Sequence, residues 1–512
     1  MMFPMRRFTW RRFLLFGSAF VFFWIFVFSL TPLTAPLPPY TGQFEVGILD
    51  LEVEVEKRVI NEAILKETGE KAFELSTLAV TLYYPTNKPL DPNKPEPWAR
   101  PWLPQPISLI GTGYARLAGI RFPPFQWVFT FLLWALGSRT VIPGVVDAPL
   151  LSRPEKPLID VSDSYSNEAG RLANFDDDRE EEHIELRDEA KGSLPCVVFT
   201  HGMAGMSQSY SHYLGSIASH GAVVAAVEHR DGSGPGSIVH YPDGREKKVW
   251  HMTHNDFEPS SNMTPRALQI AQLAFREAEM HETVLLLQHL NSPTTPLHNL
   301  KPSSPESSSL PTFQSRLNLT STTVIGHSYG ATGALQALKP PNPFIAGGIA
   351  LDPGKSSGPL NHDITSPNLI LHSGEWTEKQ TAFYDQGPHF GVVRDLAREV
   401  GKVAPAWFMT LRGTAHPSVT DAPLIVPWVM RLVTGTREDA RTALAEYVDV
   451  SVAFLRRVGQ GRWEGGGGED VLGEEAGSPE GPLGKGEDRG TVRGRRGGVW
   501  EVHVAPSSEG SG

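Results

Sequence analysis

Apolar residues along this chain follow two patterns. Over residues 44–56 they alternate in part with polar ones (Val46, Ile48, Leu49, Leu51, Val53, Val55), and residues 75–84 are rich in β-forming types. A period near two places one side of a strand on a core, so these segments predict opening antiparallel strands. After residue 190 the pattern changes to short apolar runs separated by helical stretches. Residues 196–200, 222–227, 322–325, 346–351 and 368–371 read as strands, and 208–220, 263–290 and 331–338 as helices. Buried strands alternating with helices predict an α/β fold: a mostly parallel central sheet with helices on both faces.

Four segments stand outside that pattern. Residues 13–30 carry no charge, with Arg6, Arg7, Arg11 and Arg12 before them and Pro32, Pro36, Pro38 and Pro39 after. Such a run spans roughly 27 Å as a helix, close to the ~30 Å hydrocarbon core of a bilayer. It is longer than a signal-peptide core, and the A-x-A-like site around Ala35 is followed at once by Pro36. Residues 1–40 therefore read as a signal-anchor and Pro-rich spacer, with the remainder lumenal or extracellular. A cleaved signal and a secreted protein are the alternative. Residues 125–136 (FQWVFTFLLWAL) are apolar nearly all round but too short to span. A buried core helix is the plain expectation; the other is a helix lying on a membrane surface, with Trp127, Phe131, Leu132 and Trp134 facing lipid. Residues 160–191 are strongly acidic and read as a solvated insertion. From 458 to 512 the chain turns Gly- and Glu-rich and reads as disordered. One domain over 41–457 remains.

Composition narrows the chemistry. With 46 Lys plus Arg against 57 Asp plus Glu the net charge is −11. No long basic block is present, which argues against nucleic acid as the main partner. The single cysteine, Cys196, excludes an internal disulfide and any Cys-rich zinc or iron–sulfur site. No cofactor or metal is expected.

Gly326-His327-Ser328-Tyr329-Gly330 matches G-x-S-x-G, with an apolar strand leading in and small residues leading out. This is the pattern of the nucleophile elbow of an α/β-hydrolase: small neighbours let strand and helix approach while the serine stands clear of the sheet. Ser328 is the predicted nucleophile. Its base and acid follow it in chain order in this architecture. His416, after the apolar stretch 407–411, fits better than His372, which sits in or at the end of a strand. Asp352 and Glu375 each follow a strand, and sequence logic leaves them even. For the oxyanion, one N–H comes from the residue after the nucleophile, Tyr329. The other is assigned to Met203, in the Gly-flanked turn 200–205, and His201 is taken to shape that turn.

Taken together, HGMAG, SIASHGAVVAAVEHRDGSG, GHSYGATGALQAL, IALDPG and RGTAHPSVTDAP resemble the platelet-activating factor acetylhydrolases of the plasma and intracellular type II group. The likeness runs from about residue 44 to 457, interrupted by the acidic insertion. It implies an α/β-hydrolase that cleaves the sn-2 ester of phospholipids with short or oxidised acyl chains, without calcium. It favours Asp352 over Glu375, places the second oxyanion donor on Met203, and puts a lipid-docking surface around residues 127–136. Tyr329 stands where Phe is usual in that group. A general carboxylesterase or lipase, and a non-catalytic lipid-binding protein, are the other readings.

Overall fold

In a computed structural model the protein is described over residues 34–506, except 91–99, 153–192, 293–296, 302–306, 343, 380, 384–386, 460–466 and 478–489. The apolar run 13–30 and the acidic segment 160–191 thus lie outside the described residues. Among the described residues no helix is long and apolar enough to cross a membrane.

The sheet is built from β1 (Glu45–Ile64), β2 (Lys71–Thr86), β3 (Leu194–Thr200), β4 (Val223–Val227), β5 (Leu317–His327), β6 (Gly347–Leu351), β7 (Asn368–Ser373), β8 (Ala406–Leu411), β9 (Thr491–Arg493) and β10 (Val499–Val504). Their spatial order is β9-β10-β8-β7-β6-β5-β3-β4-β2-β1, with the two-residue strand Val145–Val146 at the far edge. β3 to β8 run parallel; β2 is antiparallel to β4, and β1 to β2, as the alternation over 44–84 implied. This is an α/β-hydrolase sheet.

Alternation along each parallel strand feeds two cores. Cys196 and Val198 of β3 pack on one face with Met280 and Val284 of the long helix Pro265–Asn291, whereas Val197 and Phe199 join Leu214 and Ile217 of Ser211–Ser219 on the other. Helices cover both faces because the parallel strands of the centre carry apolar side chains on both sides.

Two expectations need correction. The region after 457 is not uniformly disordered: β10 pairs antiparallel with β8, and Trp500 and Val502 are buried. The glycine-rich stretch before it hid a six-residue strand, VWEVHV, whose apolar side joins the core beside β8. The segment 125–136 is not a core helix either. It forms a helix, Pro123–Gly137, in which only Gly137 is buried. Trp127 is 71% exposed, and Phe131, Leu132 and Trp134 are also exposed. A helix apolar all round has no polar side to turn outward, so periodicity could not say which surface it kept.

Candidate active site

The crevice lies where the chain changes direction in the sheet. From β3 the chain crosses toward β4 on one side, and from β5 toward β6 on the other, so the turns leaving β3 and β5 part company. Register then decides which residues meet. Thr200 pairs with Gly326, and His327 with Leu351. The residues just beyond these pairs, His201 to Met203, Ser328 and Asp352, are consequently neighbours.

Ser328 sits at φ 57°, ψ −117°, a conformation that L-residues rarely adopt, between β5 and the helix Tyr329–Ala337. Its glycines make the turn possible. A Cβ on Gly326 would lie 2.2 Å from Gly330 O, and one on Gly330 would lie 2.0 Å from Thr200 O. Ser328 N–H donates to Leu351 O at 2.9 Å, and Gly354 N–H donates to Ser328 O at 3.0 Å. These bonds tie the elbow to the turn that carries Asp352.

Asp352 is buried, at φ 46°. It accepts hydrogen bonds from Ser373 N–H at 2.6 Å, Ser373 Oγ at 2.7 Å and His416 Nδ1 at 3.0 Å. His416 lies flat on the Trp376 indole, with centroids 3.9 Å apart and planes 10° apart. Its backbone N–H donates to Glu375 Oε2 at 3.0 Å. The two carboxylates that spacing alone left even therefore separate by position: Asp352, which the resemblance favoured, meets the imidazole and Glu375 holds the main chain. Burial pushes the Glu375 carboxyl up, but Lys379 and the His416 N–H outweigh it and leave it below the ordinary range. His372 lies inside β7, fully buried, with Nδ1 on Thr377 Oγ1. A hydrogen bond from Ser328 Oγ to His416 Nε2 is not among those made by the described residues. The ring of His327, the residue before the serine, lies 4.4 Å from that of His416, centroid to centroid.

The turn expected to hold an oxyanion packs against the serine. A Cβ on Gly202 would come within 3.0 Å of Ser328 Cβ. Gly205 N–H closes the turn on Gly202 O, and Ala204 N–H bonds Ser233 O, while Met203, 42% exposed, stands at the rim. His201 is buried with Nδ1 on Gly202 O, and burial holds its pKa below the ordinary value, as suits a residue that shapes the turn. Tyr329 opens the helix after Ser328, and its hydroxyl donates to Gln269 O.

Sequence reasoning missed the support beneath this turn. Arg276 is fully buried: it pairs with Asp231 at 2.7 Å, donates to His201 O and Ser233 Oγ at 2.6 Å each, and lies 4.6 Å over the Tyr329 ring. One guanidinium thus touches both sides of the expected oxyanion site. Burial raises the Asp231 carboxyl, but Arg276 and Ser233 reverse that and hold it below its usual range. Next to it, His229 bridges Thr200 Oγ1 and Glu279 Oε2 at 2.6 Å each. The available signal was the run Glu228-His229-Arg230-Asp231 directly after an apolar strand, together with Arg276 and Glu279 three residues apart on one helix face.

One set of three metal-ligating side chains, His327, Asp352 and His416, has ligand atoms within 4.8 Å of one another among the described residues. Hydrogen bonds already tie these side chains together: His416 Nδ1 is on Asp352, and both His327 nitrogens are on Tyr210 and His416 O.

Residues 179–465, more than half the chain, match the family model described as platelet-activating factor acetylhydrolase, isoform II. A Schizosaccharomyces pombe protein named "Putative phospholipase A2" is 28% identical over 306 residues, covering 58% of this chain and 57% of its own. A Bos taurus platelet-activating factor acetylhydrolase is 28% identical over 272 residues, covering 51% and 56%. The chain thus spans little more than half the length of these curated relatives. A ferulic acid esterase from Streptomyces cinnamoneus is similar over 83% of this chain and 92% of its own, at TM-score 0.46 and 18% identity.

Proposed function

Because the chain belongs to the platelet-activating factor acetylhydrolase, isoform II, family, we propose that it is a serine esterase cleaving the sn-2 ester of phospholipids with short or oxidised acyl chains, without calcium. The observation that carries this reading is the 3.0 Å bond from His416 Nδ1 to buried Asp352, held beside a serine in the elbow conformation. With Nδ1–H donated to the carboxylate, Nε2 is left as the base. It takes the Ser328 proton as Oγ attacks the ester carbonyl. The N–H groups of Met203 and Tyr329 receive the oxyanion, the work a Lewis acid does in metal esterases. His416 then protonates the leaving lysophospholipid oxygen. In the second half it deprotonates a water, which releases the acid and restores Ser328.

Access belongs to the same reading. Phe125, Trp127, Phe131, Leu132 and Trp134 on the helix Pro123–Gly137, and Trp428, Leu432 and Val433 on Pro427–Thr434, are exposed. Tyr114, on the helix packed beside the first, donates to Ala204 O in the expected oxyanion turn. Apolar patches of this kind serve interfaces, and a phospholipid surface is the occupant proposed.

The test is acyl release from 2-acetyl and 2-palmitoyl phosphatidylcholine with EDTA present and Ser328→Ala as control. Rapid metal-independent loss of acetyl alone, absent in the variant, supports the proposal. Equal cleavage of both chains makes the protein a general phospholipase. Cleavage of soluble short esters only makes it a carboxylesterase.

A further inference from the structure

A buried chain of hydrogen bonds joins the two sides of the crevice through the residue before the serine. Gly202 N–H donates to Tyr210 Oη at 3.2 Å, Tyr210 Oη lies 2.8 Å from His327 Nδ1, and His327 Nε2 lies 3.0 Å from His416 O. The directions follow from the end groups. A carbonyl only accepts, so His327 Nε2 carries a proton and donates to His416 O. Nδ1 of the neutral ring is then an acceptor, and the Tyr210 hydroxyl donates to it, keeping a lone pair for Gly202 N–H. Each donor in the chain meets one acceptor. Burial first, and the neighbouring His416 second, hold the His327 pKa well below its ordinary value, which keeps the ring neutral as this pattern requires.

The chain lies where small displacements matter. His327 ends β5 and is fixed in the sheet opposite Leu351. Its side chain therefore gauges the distance from the nucleophile's strand to the backbone of His416. At the other end, Tyr210 holds Gly202, the neighbour of Met203. The Asp352 bond and the Trp376 stack orient the His416 ring, whereas His327 holds the main chain behind it.

We propose that His327 and Tyr210 are positioning residues that set the spacing between Ser328, His416 and the oxyanion turn. This rests on the roles given to Ser328 and His416 above. A merely structural role and a positioning role make different demands on residue 327. The amide nitrogen of glutamine reaches about as far as Nε2, while that of asparagine reaches only about as far as Nδ1. His327→Gln keeps the donor to His416 O; His327→Asn keeps a partner for Tyr210 and loses that donor.

The experiment measures kcat and KM on a soluble short-chain ester, the rate of Ser328 phosphonylation by a fluorophosphonate, and the melting temperature, for wild type, His327→Asn, His327→Gln and Tyr210→Phe. His327→Asn should lower kcat about 10- to 100-fold with KM within about twofold, as misplacement of a reacting group does. His327→Gln should recover about tenfold of that loss, and Tyr210→Phe should cost about fivefold, the effect of one neutral hydrogen bond. Phosphonylation rates should follow kcat. Equal kcat for the Asn and Gln variants, or rates at the wild-type level in folded His327→Asn, overturns the inference and leaves the esterase reading intact. Failure of the wild type to label at Ser328 overturns the esterase reading, and this inference with it.

Discussion

The crevice around Ser328 and the surface of the helix Pro123–Gly137 are built on opposite terms. In the crevice, backbone approaches backbone so closely that a single methyl group does not fit, and buried charges such as Arg276 and Asp231 meet each other. On the helix, large apolar side chains face solvent and none of its fifteen residues carries a charge. Free energy in the crevice is invested in holding a few atoms at fixed separations. The helix invests almost nothing in the isolated fold, and its exposed area becomes favourable only against another apolar phase. The two regions should therefore respond in opposite ways to substitution.

The largest effect on activity is expected at Gly330. An alanine there sets a methyl 2.0 Å from Thr200 O, backbone against backbone, so strand or elbow must move. Overpacking of this kind costs typically about 1–3 kcal/mol and here falls on an already strained turn. Urea denaturation should show a loss at or above the top of that range, with esterase activity gone. A Gly330→Ala protein of wild-type stability and activity would break the claim that the crevice has no slack.

Arg276→Met comes next. It removes the partner of buried Asp231 and frees the carbonyl of His201 and the hydroxyl of Ser233. Breaking one side of a buried pair costs about 3–5 kcal/mol. Replacing Arg276 and Asp231 together by apolar residues should recover much of that stability without recovering activity, because the bonds to the turn stay absent. Recovery of both would reduce the pair to a fold-stabilising element with no bearing on the site.

These two predictions mark where the sequence was readable. The elbow could be found because its steric demand is local: glycines two residues either side of a serine, a strand before and a helix after. The parallel sheet was readable for the same reason, since β-rich runs and amphipathic helices announce themselves within ten residues. Arg276 and Asp231 are forty-five residues apart and meet only once β4 and the long helix have packed. Tyr210 and His327 are separated by 117 residues. The strand Val499–Val504 was obscured by the glycine-rich stretch before it, and spacing alone left Asp352 and Glu375 even, so that only the family resemblance favoured Asp352. Local steric rules are written in sequence; long-range hydrogen bonds are not.

Acid should weaken the crevice side of the molecule and leave the apolar helix unaffected. Burial holds His201, His327 and His372 below the ordinary histidine pKa, His212 at about 4 and His389 at about 3. Unfolded, each titrates near 6.5. As pH falls below 6.5 the unfolded chain takes up protons that the native state refuses, so this stability is full above about pH 6.5 and is lost toward the folded values. Asp421, raised to about 7 by burial despite donors from Ser211, His212 and Trp102, works in the other direction. The buried pair of His229, lowered, and Glu279, raised, shifts in opposite senses and cancels. Even three net protons amount to about 4 kcal/mol per pH unit. Melting temperature should fall steeply between pH 6.5 and 5; a flat profile would mean that these histidines reach water.

The smallest effect on the fold, and the most informative about access, belongs to the exposed helix. Trp127→Ser with Trp134→Ser removes two indoles from solvent-facing positions, 71% and 53% exposed. Surface changes of this kind fall within about 0.5 kcal/mol, so unfolding curves should superimpose. Hydrolysis of a soluble short-chain ester should also be unchanged, because among the described residues neither side chain makes a hydrogen bond or ring contact with Ser328, Asp352 or His416. On phosphatidylcholine vesicles the outcome should differ. Each indole lost from the bilayer forfeits about 1.5–3 kcal/mol of burial, so binding and vesicle-supported turnover should fall at least about tenfold. Since the helix has no ionisable residue, that deficit should hold from pH 6 to 8. If vesicle turnover survives while the fold and the soluble reaction are intact, lipid reaches the crevice by another surface, for which the helix Pro427–Thr434, with Leu432 81% exposed, is the next to substitute.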